Sequence, residues 1–413
     1  MRGWVKKLAC TALISGAVIS SAFAGAQPDY DRVAGGRYQA ILGDCMGCHT
    51  APGGRPFAGG APLQTPFGTM VAPNITPDKD TGIGTWSEAD FRRAVQGGVS
   101  PGGKLLYPAM PYPAYAKMSD DDIAKLYSYM QSVEPVRRAV RSNLLRWPFN
   151  IRALMRGWNM LYFRPAGYAP EDGKSAQWNR GAYIVTGPGH CGACHTAKTM
   201  LGADSSQPLG GASLQGWFAP DITADGARGI GGWSAGDIVA YLKTGHNAYS
   251  MASGPMAEAI EASTSKMTDG DLQAIAVYLK DVPGYPNQAP AALAASDPHM
   301  KAGQAIYEDN CMGCHNADGK GQKDIFPPLN GNPVVRQASA ETLARVVLAG
   351  TQSADVKTAP TQSAMPSFAW RLDDQEVADV LTYVRSSWGG AAPVPQGTVK
   401  EVRDNLAREN RAR

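Results

Sequence analysis

Cys45-Met46-Gly47-Cys48-His49, Cys191-Gly192-Ala193-Cys194-His195 and Cys311-Met312-Gly313-Cys314-His315 are three copies of one pentad. Two cysteines three positions apart can each form a thioether to one haem vinyl group. The histidine that follows is carried under the ring and can ligate the iron, so the spacing reads as c-type haem attachment. A structural zinc site would need two CxxC pairs brought together, and a redox dithiol needs no histidine after its second cysteine. Three copies favour haem. Cys45, Cys48, Cys191, Cys194, Cys311 and Cys314 are therefore expected to carry three covalently bound haem c groups, with His49, His195 and His315 as proximal iron ligands.

The chain repeats around these pentads. Asn74-Ile75-Thr76…Gly82-Ile83-Gly84-Thr85-Trp86-Ser87…Asp90 returns as Asp221-Ile222-Thr223…Gly229-Ile230-Gly231-Gly232-Trp233-Ser234…Asp237. Self-similarity along a whole unit indicates duplication. A methionine follows each pentad at a related distance: Met110 lies 61 residues after His49, Met256 lies 61 after His195, and Met365 lies 50 after His315. Met365 is the only methionine after its pentad. Met70 and Met118 compete with Met110, while Met200, Met251 and Met267 compete with Met256. Proline adjoins all three choices, at Pro111, Pro255 and Pro366, and stiffens the loop that would hold a weak sulfur ligand. Met110, Met256 and Met365 are the expected distal ligands, giving the His/Met pair that raises a haem potential. His246 is the rival to Met256. A ligating histidine normally donates its other ring N–H to an acceptor, and Pro327 or Pro328 is the expected carbonyl for His315.

Each unit closes with a helix of one design. Ser119, Thr268 and Asp373 can cap helices whose first turns are acidic. The stripes Ile123, Leu126, Tyr129, Met130; Leu272, Ile275, Tyr278, Leu279; and Val377, Val380, Tyr383, Val384 each fall on one helical face. A helix before each pentad carries Gly36…Tyr38, Gly181…Tyr183 and Gly303…Tyr307. The glycine permits close crossing by the closing helix, and tyrosines of both helices are expected to fill the contact. The fold class is thus all-α, with three tandem class I-type cytochrome c domains joined by linkers. The expected boundaries are a signal peptide at 1–24, domain one at 30–134 and an arginine- and aromatic-rich linker at 135–178. Domain two follows at 179–286, a Pro/Ala-rich linker at 287–298, domain three at 299–390 and a polar tail at 391–413.

Arg2, Lys6 and Lys7, an apolar run from Leu8 to Ser20, and Ala22-Phe23-Ala24 form an export signal with its cleavage site. Export suits the haem reading, because this attachment chemistry belongs to an oxidising, non-cytosolic compartment. The 39 Lys and Arg fall to 36 on processing, against 36 Asp and Glu. That balance gives no basic surface for a nucleic-acid partner. Between Pro135 and Pro170 seven arginines (Arg137, Arg138, Arg141, Arg146, Arg152, Arg156 and Arg164) stand without an acid among Trp147, Phe149, Trp158, Tyr162, Phe163 and Tyr168. This segment reads either as a scaffold packed on the haem domains or as a surface for anionic lipid or a partner.

The Asn74-Ile75-Thr76-Pro77 block, the loop Tyr107-Pro108-Ala109-Met110-Pro111-Tyr112, the stretch Pro148-Phe149-Asn150-Ile151-Arg152 and Arg180-Gly181-Ala182-Tyr183 with the second pentad carry a resemblance. The chain resembles the tri-haem cytochrome c subunit of bacterial membrane-bound periplasmic dehydrogenases acting on alcohols, gluconate, sorbitol or fructose. The resemblance spans about residues 30 to 390. It implies a non-catalytic subunit that passes electrons through three haems to membrane ubiquinone or another respiratory acceptor. The electrons would come from a separate catalytic subunit carrying a flavin or pyrroloquinoline quinone, and the resemblance admits a small third subunit. The expected location is the periplasmic face of the inner membrane. The strongly polar Glu401–Arg413 segment departs from relatives held through an amphipathic C-terminus, so the 135–170 linker or the partner must supply the membrane contact. Two other readings are a partner of molybdenum-hydroxylase type and a haem enzyme with one open iron site.

Overall fold

The computed structural model describes residues 27–286, 292–359 and 362–412. The export segment expected at 1–24 lies outside the described residues, as do residues 287–291 of the second linker. An opening helix leads into each pentad: Gln27–Leu42, Ala176–Thr186 and Pro298–Asn310. A closing helix ends each unit: Asp120–Ser132, Asp269–Leu279 and Asp374–Val384. Ser119 accepts from Asp122 N, Thr268 from Asp271 N, and Asp373 from the amides of Gln375 and Glu376, so each closing helix starts at its expected cap.

Opening and closing helices cross at glycine. A Cβ on Gly36 would stand 1.9 Å from the Lys125 carbonyl oxygen, one on Gly181 1.9 Å from that of Ala274, and one on Gly303 2.1 Å from that of Asp379. No larger residue allows this approach. The stripes bury Ile123, Leu126 and Met130, then Leu272, Ile275 and Leu279, then Val377, Val380 and Val384. Burying each such side chain stabilises the fold by about 1.5–3 kcal/mol. The tyrosines divide. Tyr307 and Tyr383 meet as expected, with ring centroids 5.5 Å apart. Tyr38 and Tyr183 instead reach into the neighbouring unit.

That reach is reciprocal. Tyr38 Oη donates to Asp271 Oδ2 at 2.7 Å and accepts from Thr268 N at 3.0 Å, at the start of the second unit's closing helix. Tyr183 Oη donates to Asp122 and accepts from Ser119 N, at the start of the first unit's closing helix. Gln39 adds a bond to Asp122 and Arg180 a bidentate pair to Asp271. The two duplicated units therefore face each other through the same surface, as the halves of a two-fold dimer do.

The fold is mostly helical but departs from all-α. Pro62–Thr65 and Gly68–Val71 form a hairpin, to which Asn143–Leu145 adds a third strand. Two-stranded pairs join Val99–Ser100 to Lys104–Leu105, Ala212–Leu214 to Trp217–Ala219, and Thr351–Gln352 to Ala364–Met365. Long loops carry many backbone donors and acceptors, and these short ladders pair them. The 135–178 segment is accordingly more than a connector, because Asn143–Leu145 completes the first unit's sheet. The expected tail also joins the fold: Gln396–Ala412 is a helix whose Val399 and Val402 are buried in the third unit's core. Arg345 pairs with Glu409, and Arg403 pairs with Asp374 at 2.6 Å.

Candidate haem-binding sites

In each unit the pentad turns into a short helical segment, and the histidine ends it. The backbone then closes the same way three times. The carbonyls of His49, His195 and His315 accept from Gly59, Gly211 and Gly321 at 2.7, 2.8 and 3.0 Å. Each imidazole donates Nδ1–H to a proline carbonyl: His49 to Pro73 at 2.8 Å, His195 to Pro220 at 2.7 Å and His315 to Pro327 at 3.0 Å. This fixes ring and tautomer and leaves Nε2 for iron. Burial lowers the pKa of all three imidazoles against the opposing effect of the carbonyls, which favours the neutral form a metal ligand needs.

The cysteines fit thioether attachment better than redox chemistry. All six described cysteines are free of disulfides. Burial pushes the Cys45 and Cys191 thiols up to about 12, and those of Cys48 and Cys311 up to about 11. Reactive dithiols have the opposite signature, a lowered pKa. Among the described residues no group of three His, Cys, Asp or Glu side chains gathers as a metal site.

Backbone register aligns two of the expected methionines. The helices Glu88–Gly97 and Ala235–Thr244 end at Gly98 and Gly245, both in the left-handed region. The returning chain bonds back to these glycines through Leu106 N and Ala252 N, each at 2.7 Å. Met110 and Met256 each stand four residues beyond that bond and are partly buried against neighbouring core residues. Their rivals have other duties. Met118 and Met267 lie inside the cores, Met70 is in a paired strand, and Met200 is 94% exposed. Met251 bridges to His246, whose Nδ1 is 3.0 Å from Thr244 Oγ1. Met365 lies in the return strand itself, opposite Thr351 and close against Gly350.

The sequence reading missed two of the three proline acceptors. Pro73 and Pro220 directly precede the repeated Asn74-Ile75-Thr76 and Asp221-Ile222-Thr223, and that repetition was the available signal. It also missed how the sites adjoin. His190 Nε2 and Tyr115 Oη both bond the Gly43 carbonyl, at 3.2 and 3.0 Å, so the first two pentads meet. Met256 shares a cluster with Ala354 and Val356 of the third unit. Arg345 lies over the Trp217 ring at 5.1 Å, and Thr342 bonds the Phe218 backbone. The second unit touches both others.

Fold and site define a c-type cytochrome. The cytochrome c family model matches residues 36–134 and 300–388, and this family holds haem c covalently. The chain is 39% identical over 417 residues to the gluconate 2-dehydrogenase cytochrome c subunit of Pantoea cypripedii, covering 95% of this chain and 93% of that protein. It is 39% identical over 403 residues to the cytochrome c subunit of the quinone alcohol dehydrogenase of Gluconacetobacter polyoxogenes, covering 92% and 86%. It is also 41% identical over 378 residues to a nicotinate dehydrogenase polypeptide of Pseudomonas putida, covering 89% of this chain and 31% of that longer protein. The chain belongs to the family of cytochrome c subunits of dehydrogenases, and its work is electron transfer.

Proposed function

We propose that this chain carries three covalent haem c groups in three tandem domains, the first including the Asn143–Leu145 strand and the third the Gln396–Ala412 helix. Cys45/Cys48, Cys191/Cys194 and Cys311/Cys314 are the attachment points. His49 with Met110, His195 with Met256 and His315 with Met365 are the residues that would hold the three irons. The observation that carries this reading is the threefold histidine-to-proline-carbonyl bond beside a CxxC pair. When bound, haem c supplies a one-electron ferric/ferrous couple. The chain's own residues orient each imidazole, present the methionine sulfur from a proline-stiffened loop, and keep the three sites adjacent.

The chain takes electrons from a catalytic dehydrogenase subunit with a flavin or pyrroloquinoline quinone and delivers them to ubiquinone or another respiratory acceptor. An alcohol, sugar or sugar acid dehydrogenase is favoured by the relatives matched almost end to end. The nicotinate relative supports a second reading, a partner oxidising a heteroaromatic acid, as a molybdenum hydroxylase would. The place of work is the periplasmic face of the inner membrane. No helix among the described residues is long and apolar enough to cross a membrane. Contact instead comes from the 144–162 segment, where Trp147 is 79% and Met160 72% exposed, beside Leu144, Ile151, Leu154 and Leu161. Trp158 Nε1 bonds the Leu201 carbonyl and joins exposed Met200 and Leu201 to the patch. Arg141, Arg146, Arg156 and Arg164 are exposed around it, matching a surface of anionic headgroups.

Met110→Ala, Met256→Ala and Met365→Ala test the axial assignments. Each is expected to lower the potential of one haem and open its iron to carbon monoxide, read by potentiometric titration and absorption spectra. A variant with unchanged titration and no carbon monoxide binding removes that methionine. Deleting the chain from its host is expected to abolish quinone reduction while dye reduction by the dehydrogenase persists.

A further inference from the structure

Asp221 is a buried carboxylate at a place where the duplicated first unit has an amide. It follows Pro220, whose carbonyl accepts from His195, and is 1% exposed. Its Oδ1 accepts from Thr223 N at 2.7 Å and from Thr223 Oγ1 at 2.6 Å. Its Oδ2 is buried without a hydrogen-bond partner. The backbone N–H of Asp221 donates to Gln337 Oε1 at 3.2 Å, which closes this pocket with the third unit.

The counterpart in the first unit is Asn74, which follows Pro73, the acceptor of His49. Asn74 Oδ1 accepts from Thr76 N and Oγ1 at 2.9 and 2.8 Å, repeating the geometry at Asp221. Its Nδ2, standing where Asp221 has the unpaired oxygen, donates to the Val136 carbonyl at 2.7 Å and to Thr81 Oγ1 at 3.1 Å. In the third unit Pro328 follows the acceptor Pro327 and brings no charge. The two sites therefore differ by a carboxylate beside the proximal histidine's acceptor and by Arg228, which stands at the register of Thr81, the partner of Asn74.

An unpartnered carboxylate in a dry interior costs free energy unless something nearby needs its charge. A ferric site carries one more positive charge than a ferrous one, and low dielectric strengthens that attraction. We propose that Asp221 tunes the second haem, its charge favouring the ferric state and lowering that couple. This rests on the three-haem reading above.

Potentiometric titration of the fully loaded, full-length Asp221→Asn chain tests the proposal. One couple is expected to shift upward on the order of tenfold in its equilibrium constant, about 59 mV for one electron. The couple that moves is the one Met256→Ala displaces. Asp221→Ser also removes the charge while keeping an oxygen for Thr223, and must move the same couple in the same direction. Should Asp221→Asn lose a haem, Asp221→Ser decides. Three intact haems with all three couples unmoved in the loaded variant would overturn the proposal. Fewer than three haems on the unsubstituted chain would overturn the haem assignment itself, and this inference with it.

Discussion

Asp44 stands directly ahead of Cys45 in the left-handed region, at φ 44°, with one carboxylate oxygen buried and unpaired. Burial pushes its pKa up to about 7, against a lowering bond from the Gly47 amide. The unfolded value is near 3.9. Between about 4 and about 7 the folded chain therefore holds a proton that the unfolded chain has released, and stability falls as pH rises through that window. Above it the folded state keeps a buried charge. The melting temperature of the haem-loaded protein is expected to drop across this range. Asp44→Asn should flatten that slope and melt higher than the parent above about pH 7. A slope unchanged by Asp44→Asn would show that other groups set it.

The helix crossings make a sharper comparison between two glycines. Gly181 meets the Ala274 carbonyl at a distance no Cβ tolerates, whereas nothing lies within 4 Å of a Cβ on Gly157. Gly181→Ala is expected to destabilise by about 1–3 kcal/mol through overpacking. Gly157→Ala, within the helix Met155–Tyr162, should stabilise by about 0.5–1 kcal/mol. Denaturant midpoints of the loaded proteins measure both. Such local features were legible in the sequence: the caps Ser119, Thr268 and Asp373, the three stripes and the three crossing glycines depend on spacing along one chain. What was not legible depends on surfaces meeting at a distance. Tyr38 and Tyr183 look like intra-unit core until the two units face each other. The Gln396–Ala412 helix hides its Val399, Val402 and Leu406 stripe among charges, and its burial depends on the third unit's core. Arg385 is similar. It is fully buried and donates to the carbonyls of Ala392, Val335 and Gln337, a role no motif announces.

At the scale of the molecule, the 135–178 segment has a packed side and an exposed side. Its inner side is scaffold: Arg152 donates to the Leu105 carbonyl and lies over the Tyr107 ring, and Tyr112 bonds Asn159, so Met110 is braced from both flanks. The outer side is the exposed apolar patch with its arginines. Arg141, Arg146 and Arg156 are therefore the residues to change, and Arg152 is to be left. Replacing the three by Gln should weaken binding to anionic vesicles by roughly 1 kcal/mol per residue, with three haems still assembled. A variant that floats with vesicles like the parent but no longer accepts electrons from its dehydrogenase would make the patch an interface with the catalytic partner. The central claim is the haem count, because ligands, tuning and relay all depend on it. Intact mass spectrometry of the exported protein measures it most directly. Three haem additions on one processed chain are expected. Two additions, or none at the second pentad, would contradict the account.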